Sequence, residues 1–103
     1  MMYYTYMLRC SDGSIYTGVA ADLEKRMKVH FSQDEECAKY TKSHHPLKLE
    51  RAWQSENRSS AQKLEYRIKS LNKMQKEELI ASPEKIDVII SQKLDCTSYK
   101  NVI

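Results

Sequence analysis

Glycine and proline are almost absent, two of each in 103 residues, which excludes collagen-like chains and disordered segments rich in these residues. Long apolar runs are missing too, and no window approaches the 18 consecutive apolar residues of a membrane-spanning helix, so no membrane partner is expected. The amino end reads as a strand carrying Arg9, which fits no secretory signal peptide, and a cytoplasmic location is expected. Cysteine is scarce: Cys10, Cys37 and Cys96 are odd in number, widely spaced and form no C-x-x-C pair. That pattern argues against a disulfide scaffold and for reduced thiols. His30, Cys37, His44 and His45 match no familiar zinc-ligand spacing. Charge of one sign is not strongly favoured, since 17 Lys plus Arg against 14 Asp plus Glu leave +3, which permits a polyanionic partner without requiring one.

What remains is an ordinary soluble balance, 41% hydrophobic and 30% charged, with enough large apolar residues for a single core. Residues 3–10 are aromatic and β-branched enough for a strand, and Ser11-Asp12-Gly13-Ser14 supplies a turn. Residues 15–19 read as the returning strand of an antiparallel hairpin, with Tyr4, Tyr6 and Leu8 on one face and Tyr3, Thr5 and Met7 on the other. Asp22 is a good cap for a helix carrying the stripe Leu23, Met27, His30 and Phe31. Residues 47–53 alternate as a third strand. Ser59 and Ser60 are placed to cap a second helix with the stripe Ala61, Leu64, Ile68 and Leu71. Asn72 starts a third, with Met74, Leu79 and Ile80 facing inward. Residues 86–90 fit helix or strand equally well, and the polar last ten residues are prone to fray. The expected architecture is α+β: a small three-stranded, mostly antiparallel sheet flanked by helices in the order β-β-α-β-α-α. Residues 1–82 form the principal domain, and residues 83–103 form a C-terminal extension that joins it or frays.

The most interesting cluster is Tyr6, Tyr16, Arg26, His30 and Glu65. The two tyrosines lie on paired strands, and Arg26 and His30, at i and i+4, project from one side of a helix. Glu65 lies beside the buried stripe of the second helix. Phosphodiester cleavage needs such a set: a proton acceptor for the attacking water, cations for the pentavalent phosphorus and a carboxylate for a divalent metal. The same residues also suit plainer roles, with tyrosines packing a half-buried hairpin, Arg26 at the surface and Glu65 as a solvating charge. Lys39, Tyr40 and Lys42 can contact a phosphate backbone and stack on a base. A solvated basic loop is the competing account of these three. Trp53 reads as core.

Tyr4-Thr5-Tyr6, nine residues, then Tyr16-Thr17-Gly18 resembles the two signature strands of the GIY-YIG nuclease superfamily. Arg26 falls ten residues after Tyr16, as the family arginine follows its second motif, and Lys39-Tyr40-Thr41 and residues 65–69 (Glu-Tyr-Arg-Ile-Lys) match as well. The likeness, over about residues 3–80, is greatest to the small single-domain bacterial branch, related to the N-terminal nuclease domain of the excision-repair protein UvrC and to homing-endonuclease catalytic domains. Tyr4 and Thr5 replace Gly and Ile of the first motif, Thr17 replaces Ile of the second, and Gly18 is retained as a structural position. Val19 stands where some members carry a Lys, and Asn72 is the position nearest the downstream Asn of many members.

The resemblance implies a metal-dependent nuclease that hydrolyses DNA phosphodiester bonds, with a place in DNA repair. Tyr6 corresponds to the general base, and His30 to a position able to accept its proton. Tyr16 would orient water or the scissile phosphate, and Arg26 would bind that phosphate. Glu65 corresponds to the single metal-binding carboxylate, so Mg²⁺ or Mn²⁺ is the expected cofactor. Members of this size lack an appended DNA-recognition domain, so a protein partner supplying specificity is possible alongside DNA itself. Two other readings stand beside this one: a nucleic-acid-binding module of the same fold without turnover, consistent with Val19, and a protein-interaction domain whose tyrosines merely pack.

Overall fold

The computed structural model describes residues 2–32, 40, 43–90 and 94–103. Strands β1 (Tyr3–Cys10) and β2 (Ile15–Ala20) form the expected hairpin, and helix α1 (Leu23–Ser32) follows. Strand β3 (Pro46–Ser55) leads into helices α2 (Arg58–Lys69), α3 (Lys73–Ala81) and the short α4 (Ile86–Ile89). Strand β4 (Lys100–Asn101) closes the chain. Among the described residues the sheet is antiparallel, in the order β2-β1-β3-β4.

Strand β1 is central and buried on both faces, which explains its nearly unbroken apolar and aromatic run. Its even-numbered side chains Tyr6 and Leu8 pack with Ala20, Ala52, Leu23 and Met27 beneath α1. Met7, on the opposite face, joins Trp53, Leu64, Ile68, Leu79 and Ile80 beneath α2 and α3. The site described below depends on this two-sided sheet, because residues from α1 and α2 meet around the free edge of β2.

Local signals set the turns and helix starts. Gly13 takes φ +84° in the hairpin turn, a conformation that glycine adopts without steric cost. Asp22 Oδ1 accepts from the Lys25 amide at 3.1 Å, so it caps α1 as its sequence position suggests. Asn72 forms a reciprocal capping box with Gln75 at the start of α3.

Several expectations need correction. The sheet has four strands, not three: Trp53 and Gln54 of β3 pair with Asn101 and Lys100. Leu94, Cys96 and Tyr99 pack against the core, which brings the carboxyl end back to the sheet although its sequence is polar. Asn57 caps α2, accepting from the Ser60 amide at 2.8 Å, whereas Ser59 and Ser60 lie within the helix. Met74 is 81% exposed, on the side of its helix opposite buried Leu79 and Ile80, and Phe31 is also exposed, one position beyond buried His30. Residues 86–89 resolve the open choice in favour of helix.

Candidate active site

Tyr6 and Gly18 are cross-strand partners on β1 and β2. Tyr6 is almost fully buried, and its phenol lies over the Gly18 backbone so closely that a Cβ there would stand 2.5 Å from Oη and 2.7 Å from Cζ. The structural role expected of Gly18 thus has a concrete cause, which is room for the Tyr6 hydroxyl.

That hydroxyl is 2.7 Å from Nε2 of His30, which α1 delivers to the same face and buries completely. Arg26, one helical turn earlier, lines the same cavity as Tyr6 and favours the ionised phenol. The phenol and the imidazole share one proton: with Nε2 unprotonated the Tyr6 O–H donates to the ring, and with Nε2 protonated the phenol oxygen accepts. Burial, assisted by the Arg26 charge, pushes the His30 pKa down to about 4, which keeps the ring neutral at physiological pH. Burial likewise pushes the Tyr6 phenol above its ordinary value; Arg26 opposes the rise, and nearby Tyr16 and Glu65 add to it.

Tyr6, Tyr16, Arg26 and Glu65 all line one cavity of about 380 Å³ at the β2 edge. His30 meets this cavity through Tyr6, and its ring centroid lies 5.4 Å from that of Tyr16. Glu65 arrives from α2, on the opposite face of the sheet from α1. Its carboxylate pairs with Lys69 at 3.3 Å, and Lys69 Nζ in turn lies 6.0 Å from the Tyr16 ring centroid. The five side chains singled out in the sequence therefore converge on one place.

The remaining expected positions divide. Tyr40 stacks on His44 at 4.1 Å and on Tyr16 at 5.6 Å, and His44 Nδ1 lies 2.6 Å from Asp12 in the hairpin turn. Lys39 and Lys42 lie outside the described residues, as does Cys37. Asn72 is occupied in its capping box. Among the described residues, no group of three or more His, Cys, Asp or Glu is placed to hold a metal ion. Glu65 alone still suits a magnesium-type ion, which one carboxylate can hold when substrate oxygens and water complete its octahedron.

Val19, noted in the sequence at the position of a family lysine, is in the cavity wall, and Arg58 and Gln62, which sequence reasoning did not single out, extend the cavity along α2. A signal for these two was present: positions 58, 62, 65 and 69 repeat at intervals of four and three, marking a polar helical stripe beside the apolar one at 61, 64 and 68.

The paired tyrosine strands, the arginine one turn before a buried histidine and the lone helical glutamate define a known class, and residues 2–78 match the GIY-YIG catalytic domain; the chain belongs to that family. Among its relatives, UPF0213 protein FN1575 of Fusobacterium nucleatum is 52% identical over 84 residues, covering 82% of each chain. UPF0213 protein CPE1444 of Clostridium perfringens is 46% identical over 82 residues, covering 79% of this chain and 85% of its own. The solution NMR structure of UPF0213 protein BH0048 from Bacillus halodurans superposes with a TM-score of 0.52 at 34% identity, covering 90% of this chain and all of that one. No helix among the described residues is long and apolar enough to cross a membrane.

Proposed function

We propose that the protein is a metal-dependent nuclease that hydrolyses DNA phosphodiester bonds, with Tyr6 as general base. The observation that carries this reading is the 2.7 Å contact between the Tyr6 hydroxyl and His30 Nε2, at the wall of the cavity that Arg26 and Glu65 share. Burial disfavours a free phenolate here, so Tyr6 takes a proton from the attacking water as its own proton passes to His30. Arg26 donates to the phosphate oxygens, and the phosphate charge offsets the guanidinium field that depresses the basicity of His30. Tyr16, open to the same cavity, orients the water or the phosphate. Glu65 would hold the divalent ion, Mg²⁺ or Mn²⁺, whose contribution is Lewis-acid stabilisation of the departing oxygen. Lys69 would then yield its place on that carboxylate.

The test is nicking of supercoiled DNA with Mg²⁺ present. Loss of about 10²–10⁴-fold in rate for Tyr6→Phe, the range for removing a general base, together with loss for Glu65→Ala, supports the proposal. Undiminished nicking by either variant refutes it. A second reading, a DNA-binding module without turnover, is favoured by one observation: Val19 occupies the cavity wall where some family members carry a lysine. Binding at low salt with no cleavage by the wild-type protein would select that reading.

A further inference from the structure

Helix α2 turns a second polar face away from Glu65. Gln62 lines the Glu65 cavity and also an adjoining cleft of about 610 Å³ between α2 and the C-terminal segment. Lys63, Tyr66 and Arg67 form the helical wall of this cleft, opposite Asp95, Ser98 and Tyr99. Tyr99 donates from its hydroxyl to the Ser60 carbonyl at 2.6 Å, which fastens the far wall to α2.

Three features suit a nucleic-acid strand. The first is charge. Two cations face one carboxylate, and Asp95 is turned into its own loop, accepting from the Thr97 amide at 3.1 Å and the Thr97 hydroxyl at 2.5 Å. The second is an open aromatic surface: Tyr66 is 66% exposed, with the Arg67 guanidinium 5.5 Å from its ring centroid. An exposed ring with cations beside it stacks bases and holds their phosphates. The third is continuity. Arg58 stands at the same cavity as Arg26, giving two guanidinium groups where one scissile phosphate needs a single fork, and Gln62 leads from there into the cleft.

We propose that one strand of the substrate runs from the cavity across Gln62 into this cleft. Arg58 holds the phosphate next to the scissile one, Lys63 and Arg67 hold the phosphates that follow, and Tyr66 stacks on a base. This track deepens the nuclease reading and rests on it.

Two measurements test the track. In the first, fluorescence anisotropy of a labelled oligonucleotide is followed against salt for the wild type and for Lys63→Ala/Arg67→Ala. Loss of two phosphate contacts lowers the log–log salt slope by about 2. An unchanged slope and affinity overturn the proposal. In the second, Arg58→Ala is assayed on the oligonucleotide and on bis(p-nitrophenyl) phosphate, which has one phosphate and no flanking one. The oligonucleotide KM should rise about tenfold more than that of the small diester, as expected for loss of a charged contact made only by the longer substrate. Equal losses on both substrates overturn the assignment of Arg58 to a flanking phosphate. A wild-type protein that cleaves neither substrate counts against hydrolysis itself, while the salt slope still decides the track.

Discussion

The Tyr6 hydroxyl occupies the space that a side chain at Gly18 would need. A Cβ there would stand 2.5 Å from Oη, 2.7 Å from Cζ and 3.0 Å from a ring carbon of Tyr16. The Tyr6 ring cannot retreat freely, since it is buried and held by His30. Gly18→Ala is therefore expected to move the phenol off His30 and to destabilise the fold by about 1–3 kcal/mol, the usual range for overpacking. Guanidinium denaturation measures the second effect and DNA nicking the first. A variant with wild-type stability and rate would show that the two strands relax around the methyl group.

His30 should make stability depend on acidity. Its pKa is about 4 in the folded chain and near 6.5 when the chain is unfolded. Between these values the unfolded chain binds a proton that the folded one refuses, so stability falls as pH drops through this window and levels off below about pH 4. The slope is on the order of 1 kcal/mol per pH unit. Denaturation midpoints compared between pH 7 and pH 5 should fall for the wild type and change less for His30→Gln. Parallel behaviour of the two proteins would remove His30 as the source.

The proposed mechanism gives Arg26 two tasks, a positive charge beside Tyr6 and a grip on the scissile phosphate. A planar fork grips a phosphate at fixed angles, whereas an ammonium is a single point of charge. Arg26→Lys should consequently lower kcat/KM for nicking by on the order of 10²-fold, comparable to losing one preorganised donor at a reaction centre. Near-normal turnover would dismiss Arg26 from the proposed mechanism.

Thr5 replaces an isoleucine of the family motif, and the structure supplies a reason. Its buried hydroxyl donates to the Ala61 carbonyl at 2.8 Å, tying β1 to the turn of α2 that carries Glu65. Thr5→Val keeps the shape and removes the donor, so a loss of about 1 kcal/mol is expected in thermal or denaturant unfolding. No change would mean that this hydrogen bond has no net effect on stability.

Much of the fold was legible because its signals are local. Alternation marked the hairpin and β3, Asp22 and Asn72 announced two helix starts, and apolar spacing placed Ala61, Leu64 and Ile68 on the buried face of α2. The failures share a cause in distance. Strand β4 has two residues, too few for any period, and it pairs because Trp53 and Gln54 offer their strand edge. Met74 looks apolar along its helix but faces outward, since the sheet selects Leu79 and Ile80 instead. Hairpin pairing and the i,i+4 spacing of Arg26 and His30 singled out the cluster with Tyr6, Tyr16 and Glu65, and the family motifs then gave each member a role, while Arg58 and Gln62 were passed over because polar stripes on helices usually face only solvent.

The groups proposed to act in catalysis come from the hairpin, from α1 and from α2, and the last of these docks on the far side of the sheet. A peptide spanning both tyrosine motifs would thus be chemically inert however well it folded. Restored nicking after dilution from denaturant would accordingly report the moment at which the hairpin, α1 and α2 have all come together.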